Sequence, residues 1–169
     1  MYMANELDAG DIILQKETPI GPDEDAQTLT VRLAELGAEA LSEAVTAIGA
    51  GTSTRMPQDE GAQTYASMLT KEMSPIDWTR SAREIDCQVR GLIPWPCAAC
   101  TLAGQRFKVF RTAPGDRTDA APGTVLSAGK QGIRVACGGG ESLYITELQA
   151  EGGKRMAAGA YLLGHPLEV

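Results

Sequence analysis

The stretch from residue 76 to residue 96 constrains the fold more than any other part of the chain. Its apolar side chains recur at steps of three and four, which places them on one face of a helix: Trp78, Ala82, Ile85, Val89 and Leu92. Ser81 with Glu84 three residues later is the pattern of a capping box and predicts where this helix begins. Gly91 and Pro94 predict its end, because glycine favours helix termini and proline cannot continue a helix.

The chain beyond Pro96 has the pattern of an antiparallel β-structure. Five β-prone segments are separated by turns rich in glycine and proline, at residues 98–102, 106–112, 123–126, 132–137 and 142–148. Phe107 and Val109 alternate with Arg106 and Lys108, so the apolar pair is expected in a core and the basic pair outside. This pattern predicts an α+β fold with an OB-like open β-barrel and a packed helix. Its basic strand face suits an oligonucleotide, although a solvated outer face is at least as common.

The first part of the chain predicts a hairpin, one long helix and a connecting segment. A turn-forming Asp-Ala-Gly-Asp at residues 8–11 is followed by a β-prone run, which predicts two short strands within residues 1–20. Asp25 is a suitable N-cap for a helix whose apolar residues recur at helical spacing up to Ile48. Residues 52–61 have the composition of a linker. Near the other end of the chain, residues 156–163 predict a closing helical turn.

The charge differs between the two parts of the chain. Residues 1–76 carry 13 acidic and 4 basic side chains, whereas residues 77–169 carry 9 acidic and 11 basic ones. The acidic part is expected to be repelled by a polyanion, and the second part can present a modest basic face to phosphates. A net charge of +2 in the second part is common on ordinary surfaces, so it indicates little by itself.

The four cysteines and the single histidine do not form a metal-binding motif. Cys87, Cys97, Cys100 and Cys137 contain one C-x-x-C, and His165 is distant in sequence, so buried reduced thiols are expected rather than a zinc site. The apolar runs are far shorter than the roughly 20 residues of a membrane span, and the start of the chain lacks the pattern of a signal peptide. A cytoplasmic protein that binds no metal and no membrane is therefore expected.

Five motifs, in order along the chain, resemble those of methionyl-tRNA formyltransferases. They are Leu7-Asp8-Ala9-Gly10-Asp11, Thr64-Tyr65-Ala66 with Lys71-Glu72, Ile76-Asp77-Trp78, Val89-Arg90-Gly91-Leu92 with Pro94-Trp95-Pro96, and Lys130-Gln131-Gly132-Ile133. The resemblance covers the whole chain and concerns the last part of such an enzyme. It implies a helix and a hairpin left over from a Rossmann-like catalytic domain in residues 1–52, a linker in residues 53–76 and an OB-like, tRNA-binding C-terminal domain in residues 77–169.

The resemblance also implies a chemistry. The family transfers a formyl group from 10-formyltetrahydrofolate to the amine of methionyl initiator tRNA, with an Asn-x-His pair and an aspartate that Asp8 matches. A carboxylate there can orient an imidazole and help to take a proton from the attacking amine, while the Asn and His stabilise the oxyanion. These 169 residues hold no Asn-x-His before Asp8. The chain by itself is therefore expected to be inactive and to bind no formyl donor.

The residues that bind tRNA are expected among the basic side chains. Lys71 matches a lysine of the family's Lys-x-x-Lys-Glu segment, with Met68 in place of the other lysine. Arg90 matches a family arginine, although it can equally cap the C-terminus of its own helix. Charge and alternation alone add Arg106, Lys108, Arg111, Lys130 and Arg134. Trp78 and Trp95 are expected to pack in the core rather than to stack on bases. The expected partner is initiator methionyl-tRNA, bound by a monomer, and not DNA.

Two other functions fit the same residues. One is a sibling formyltransferase that acts on the amine of a sugar nucleotide or hydrolyses formyltetrahydrofolate, although the spacing from Tyr65 to Trp78 and the Lys71-Glu72 pair favour the tRNA enzyme. The other is a stand-alone RNA-binding barrel without enzyme activity. An Asn-x-His and a Ser-Leu-Leu-Pro encoded upstream would indicate a formyltransferase rather than a free module.

Overall fold

The computed structural model describes residues 1–167, apart from the side chain of residue 60. The chain forms two compact units, Met1–Met68 and Leu69–Val169. Within the described residues, no helix is both long enough and apolar enough to cross a membrane. The domain boundaries expected at residues 52 and 76 stay predictions.

The first unit is built around one long helix, α1 (Ala26–Gly49). Asp25 is its N-cap, and the Asp25 carboxylate accepts a hydrogen bond from the Thr28 backbone N–H at 2.8 Å. The Thr28 hydroxyl accepts one in return from the Asp25 N–H at 3.2 Å, which completes a capping box. The predicted start of this helix is confirmed. No side chain of α1 is buried, however, so its apolar residues do not build a core.

The hairpin predicted within residues 1–20 is wrong. Ile12 pairs instead with Met56 in a single antiparallel bridge, with N–H···O distances of 2.8 and 3.0 Å. An isolated two-stranded hairpin is marginal in water, and here a segment that follows α1 satisfies both backbone groups of Ile12. The first part of the predicted linker is therefore bound to residues near the start of the same unit.

The second unit begins its regular structure with α2 (Ala82–Gly91). Ser81 and Glu84 form the predicted capping box: the Ser81 hydroxyl accepts from the Glu84 N–H at 3.3 Å, and the Glu84 carboxylate accepts from the Ser81 N–H at 3.0 Å. Ile85 and Val89 are completely buried. The apolar stripe read from the sequence is thus the face that this helix packs against the sheet.

Six strands form one antiparallel sheet: β1 Ala98–Leu102, β2 Gln105–Pro114, β3 Val125–Gly129, β4 Gly132–Ala136, β5 Ser142–Ala150 and β6 Met156–Ala157. Their order is β1-β2-β5-β4-β3, with β6 paired to β5. The strands β1 and β3 lie at opposite ends of this order and do not pair with each other. The fold is therefore a mixed helix and antiparallel sheet that is not closed, and the predicted OB-like barrel is not confirmed.

The core lies on one face of this sheet. Phe107 and Val109 of β2 are almost completely buried, as their alternation predicts, while Arg106 and Lys108 are exposed on the opposite face. The last helix, α3 (Ala158–Gly164), covers the same core and confirms the predicted closing helical turn, except that residues 156 and 157 form β6. Its Tyr161 packs edge-to-face on Phe107, with ring centroids 5.5 Å apart. The outer face of β2 is left available to a ligand.

Candidate functional site

A groove of about 870 Å³ lies on the outer side of β1, β2 and β5 in the second unit. The strand register explains which side chains line it. Lys108 lies opposite Ala99 on β1 and opposite Gln149 on β5, while Arg106 lies opposite Thr101 on β1. Because alternate residues of a strand point to the same face, these positions share the outer face of the sheet.

Three of the predicted tRNA-binding residues are brought together in this groove. Arg106 and Lys108 line it from β2, and Lys71 lines it from a short 3₁₀ turn at residues 71–73. Within the described residues, none of the three makes an ion pair with a carboxylate. Glu151 lines the same groove, so the site is not uniformly positive. Three unpaired cations in a concave site can hold phosphate oxygens.

Trp95 lines the same groove, and its predicted place in the core is wrong. The side chain is 50% exposed, whereas the residues on either side of the neighbouring prolines, Ile93 and Cys97, are buried. Trp95 lies in the turn between α2 and β1, where the prolines on either side exclude regular strand pairing, and its ring is half-exposed there. Trp78 also lines the groove but packs partly against the core, in agreement with its prediction.

Two other predicted residues are occupied by contacts within the second unit and do not line the groove. Arg90 donates to the Asp86 carboxylate at 2.8 Å, and Asp86 also accepts the Thr112 hydroxyl at 2.6 Å, which ties α2 to β2. Arg134 donates to the Ser142 hydroxyl at 3.0 Å and to the Asp116 carbonyl at 2.8 Å. The guanidinium groups of both arginines therefore stabilise contacts within the second unit.

The last two basic residues predicted from charge are exposed and also lie outside the groove lining. Arg111 is on β2 opposite Glu147, and Lys130 is in the turn between β3 and β4. Glu147 is bound by Arg155 at 2.7 Å, and this hydrogen bond holds the pKa of Glu147 below its usual value, with a smaller contribution from the charge of Arg111. Charge and alternation in the sequence do not separate these two residues from the groove cations.

The cysteines beside the groove are unreactive thiols. Cys97 and Cys100 are buried and are not paired in a disulfide. Burial raises the pKa of both thiols, that of Cys100 to about 12, so neither forms a thiolate readily. Cys137 is buried as predicted, but Cys87 is exposed on α2, which corrects the expectation for that residue. Within residues 1–167 no three His, Cys, Asp or Glu side chains cluster as metal ligands.

The turn that carries Asp8 lies in the first unit. Asp8 is exposed and has a positive φ of 57°, in the left-handed region, where aspartate is one of the few tolerated residues. The side-chain amide of Gln58 donates to the Asp8 carbonyl at 2.7 Å and to the Gly10 carbonyl at 2.8 Å. Gly10 is required, because a Cβ there would lie 1.7 Å from the Tyr2 carbonyl oxygen. His165 is in the second unit, where its ring stacks on Tyr161 at 4.4 Å.

Protein-family models match both units. The model described as formyl transferase, C-terminal domain, matches residues 68–166, and the model described as formyl transferase matches residues 1–45. The chain belongs to the formyl transferase family. The first match contains every predicted tRNA-binding residue, and the second contains Asp8 but ends before Gln58.

Curated relatives of this formyl transferase chain are methionyl-tRNA formyltransferases. That of Citrifermentans bemidjiense is 48% identical over 99% of the chain and 52% of its own length. That of Trichlorobacter lovleyi is 46% identical over 99% of the chain and 52% of its own length, and that of Bacillus velezensis is 42% identical over 97% and 52%. The chain thus spans about half the length of the curated relatives it matches.

Solved structures with a similar fold are less similar to this chain in sequence. HypX from Aquifex aeolicus matches 98% of this chain and 31% of that chain, with a TM-score of 0.68 at 19% identity. An N-formyltransferase from Helicobacter canadensis, in complex with folinic acid and dTDP-3-aminofucose, matches 83% of this chain and 51% of that chain, with a TM-score of 0.64 at 16% identity. At these identities the likeness shows the fold alone.

Proposed function

We propose that the chain is part of a methionyl-tRNA formyltransferase and supplies its binding surface for initiator methionyl-tRNA. The observation that carries this proposal is the 48% identity to a methionyl-tRNA formyltransferase over 99% of the chain. In this proposal the chain acts as a cytoplasmic monomer. Residues 1–52 belong to the catalytic domain, residues 53–76 to the linker and residues 77–169 to an OB-like C-terminal domain.

The groove in the second unit is the proposed tRNA site. Lys71, Arg106 and Lys108 hold phosphate oxygens there, because no carboxylate within the described residues pairs with them. Contacts of this kind position an RNA without reading its sequence. Trp95 offers a half-exposed ring at the same groove, on which an unpaired base can stack. The assignments of Arg90, Arg111, Lys130 and Arg134 stay predictions, since none of these residues lines the groove.

Asp8 is the residue of this chain proposed for the chemical step. Its carboxylate would orient an imidazole and help to remove a proton from the methionyl amine as that amine attacks the formyl carbon. The complete enzyme is proposed to take its formyl group from 10-formyltetrahydrofolate. The chain by itself is proposed to bind no donor; the cavity of about 340 Å³ in the first unit is lined by α1 and its C-terminal turn, not by Asp8.

The sibling enzymes remain the second candidate. The structural neighbour from Helicobacter canadensis was solved with an aminosugar nucleotide, which indicates that the same fold serves a different amine. Its identity to this chain is only 16%, against 42 to 48% for the methionyl-tRNA formyltransferases named above. The tRNA enzyme is therefore favoured over the aminosugar enzyme and over a stand-alone RNA-binding module.

The groove is tested by titrating the purified chain with initiator methionyl-tRNA in a filter-binding assay at several salt concentrations. We expect Lys71→Ala with Lys108→Ala to lower the affinity about tenfold to a hundredfold at low salt and to flatten the slope of log K against log salt by about 1.4 to 1.8. Trp95→Ala is expected to lower the affinity about fivefold or more at every salt concentration, because stacking is less sensitive to salt than phosphate contacts are.

The matched control removes two positive charges outside the groove. Arg83→Ala with Lys154→Ala changes exposed side chains that do not line it, so the affinity and the salt slope should stay close to those of the unchanged chain. Equal losses in the groove variant and in this control would contradict the groove assignment. An unchanged affinity in all variants would show that the tRNA binds elsewhere.

A chimera tests the enzymatic part of the proposal. The N-terminal half of the Citrifermentans bemidjiense enzyme, joined to these 169 residues, is expected to formylate methionyl-tRNA in the presence of 10-formyltetrahydrofolate. Asp8→Asn in the chimera should abolish most of that activity, because the amide cannot accept the proton. Activity on an aminosugar nucleotide, without activity on methionyl-tRNA, would support the sibling function instead.

A further inference from the structure

We propose that Gln58 is a positioning residue that holds the Asp8 turn in its working shape. The proposal rests on the proposed function, in which Asp8 takes part in formyl transfer. Gln58 lies in the segment that the sequence assigns to a linker, 50 residues after Asp8. Its role is therefore one that neither the resemblance nor the family models assign.

The side-chain amide of Gln58 joins two backbone carbonyls of the turn that carries Asp8. Its Nε2 nitrogen, which carries two N–H donors, donates to the carbonyl of Asp8 at 2.7 Å and to the carbonyl of Gly10 at 2.8 Å. Because both carbonyls accept from the same nitrogen, the backbone between them, at residues 8–10, is held in one conformation. The φ of Asp8 in this turn is 57°, a left-handed conformation that aspartate adopts at some cost in free energy, so contacts from outside help to keep the turn in this shape. Gln58 supplies two of them.

Other residues of the segment 53–58 hold the neighbouring backbone. Met56 pairs with Ile12 through both of its backbone groups, at 2.8 and 3.0 Å. The Ser53 hydroxyl lies 2.9 Å from the Tyr2 hydroxyl. The guanidinium of Arg55 lies 3.9 Å from the centre of the Tyr2 ring and 3.5 Å from the Asp11 carboxylate. We call residues 53–58 the clamp, since every one of these contacts is made to residues 2–12.

Among the clamp side chains, Gln58 is the one that contacts the residue proposed for chemistry. The contact is made to the backbone of Asp8, so the carboxylate itself stays free for its partner. A carboxylate at position 58 cannot donate and would repel both carbonyls, whereas an ammonium keeps the donors. A thioether keeps the length of the side chain but has no donor. Substitutions at position 58 can therefore separate the effects of the N–H donor, the side-chain length and the charge.

Hydrogen exchange on the 169-residue chain tests the contact directly. We expect the amides of Tyr2, Ile12 and Met56 to exchange roughly 5- to 100-fold faster in Gln58→Met and in Gln58→Glu, because the turn loses two hydrogen bonds. Gln58→Lys should restore most of the protection. The matched control is Gln63→Glu, at an exposed glutamine with no hydrogen-bond partner among the described residues. It should leave the exchange rates of these amides unchanged.

The kinetic consequence is measured in the active chimera. Gln58→Met and Gln58→Glu are expected to lower kcat about 10- to 100-fold, with the KM for methionyl-tRNA within about twofold, since a misplaced catalytic group slows the reaction without weakening binding. Gln58→Lys should recover at least part of kcat. A general loss of stability would not be expected to lower kcat in Gln58→Met and Gln58→Glu and to be reversed in Gln58→Lys, which restores the N–H donor.

The two experiments separate the failure of this inference from the failure of the proposed function. An inactive chimera with Gln58 intact would refute the proposed function, while the exchange measurement would still decide whether Gln58 holds the turn. Unchanged exchange in Gln58→Met and Gln58→Glu would overturn the inference, as would a kcat that is the same in the Gln, Met and Glu forms. Equal damage by Lys and Met would also overturn it, because the donor would then be irrelevant.

Discussion

The two units of the chain use similar helix signals but reach different degrees of burial. Both α1 and α2 start at a capping box and carry apolar residues at helical spacing. The side of α2 that carries Ile85 and Val89 is completely buried, whereas Val31, Leu41 and Val45 of α1 are about 60% exposed. The difference in burial comes from the sheet: α2 packs on a sheet within its own unit, whereas the described residues of the first unit form no sheet on which α1 can pack. An amphipathic pattern predicts a helix, but a partner surface is needed to turn that helix into part of a core.

The contacts within each unit follow from this difference. All buried apolar side chains within residues 1–167 lie between Ile85 and Leu162. The first unit is held instead by polar contacts, such as the two hydrogen bonds from Arg32 to the Glu24 carboxylate at 2.7 and 2.9 Å. Burial of apolar area stabilises a fold far more than exposed ion pairs do. The second unit should therefore be the stable part of the chain.

Separating the units is expected to have the largest effect. Residues 69–169 expressed alone should unfold in urea in one steep transition, because they contain the whole core. Residues 1–68 expressed alone should lose helical signal gradually, because unfolding exposes little additional apolar surface. Circular dichroism of the two peptides checks this. A steep transition in residues 1–68 would contradict the comparison between the units.

A truncation in the core sharpens the same comparison. Phe107→Ala in the full chain is expected to lower the free energy of unfolding of the second unit by about 3–5 kcal/mol, since the ring is almost completely buried against Tyr161. Leu41→Ala on α1 removes a side chain that is 65% exposed and should change the free energy of unfolding by less than about 0.5 kcal/mol. Urea titrations measure both. Similar costs would show that α1 is covered in solution.

The helix caps are expected to have a smaller effect, and a different one in each unit. Ser81→Ala should lower the free energy of unfolding of the second unit by about 1 kcal/mol, because the Glu84 N–H at the start of α2 loses the hydroxyl that accepts its hydrogen bond. Asp25→Ala removes the matching cap of α1 and should appear chiefly as lost helical signal, since no core holds that helix. Equal loss of helical signal in both variants would contradict this.

The smallest expected effect is the pH dependence of α1. Hydrogen bonds from Arg32, and then from the Gly21 N–H, lower the pKa of Glu24 from 4.5 to about 2. A carboxyl whose pKa is lowered by folding stabilises the folded state above its unfolded pKa, and this stabilisation is lost as the pH falls from 4.5 towards 2. The helical signal should decrease over that range, and less so in Glu24→Gln. Glu35→Gln, at an exposed position on the same helix, should keep the decrease.

The sequence was informative wherever the structure is set by near neighbours. The cap at Ser81, the alternation of Phe107 with Lys108 and the closing turn before His165 were all predictable, because each depends on a few adjacent residues. The groove was not, because it needs the register between β1, β2 and β5, with residues more than 40 positions apart. Trp95 was assigned to the core for the same reason.

The remaining differences come from long-range polar contacts. The sequence marks Arg134 and Arg90 as basic but gives no sign that their guanidinium groups are used by Asp116 and Asp86. The pairing of Gln58 with the Asp8 turn also spans 50 residues of chain. A side-chain amide can serve any nearby carbonyl, so no local pattern identifies its partner.

The two ends of the sheet determine how a partner can approach the second unit. On the free side of β1, Ala99 already uses both backbone groups, one with Ser74 at 2.7 Å and one with Ile76 at 2.9 Å, and Pro75 between them has no N–H with which to extend the pairing. At the other end, β3 is short and has a bulge between Val125 and Ser127. Both edges are thus poor templates for an added strand, which protects the protein from aggregation through its sheet. A partner is left to dock face-on, across side chains rather than along the backbone.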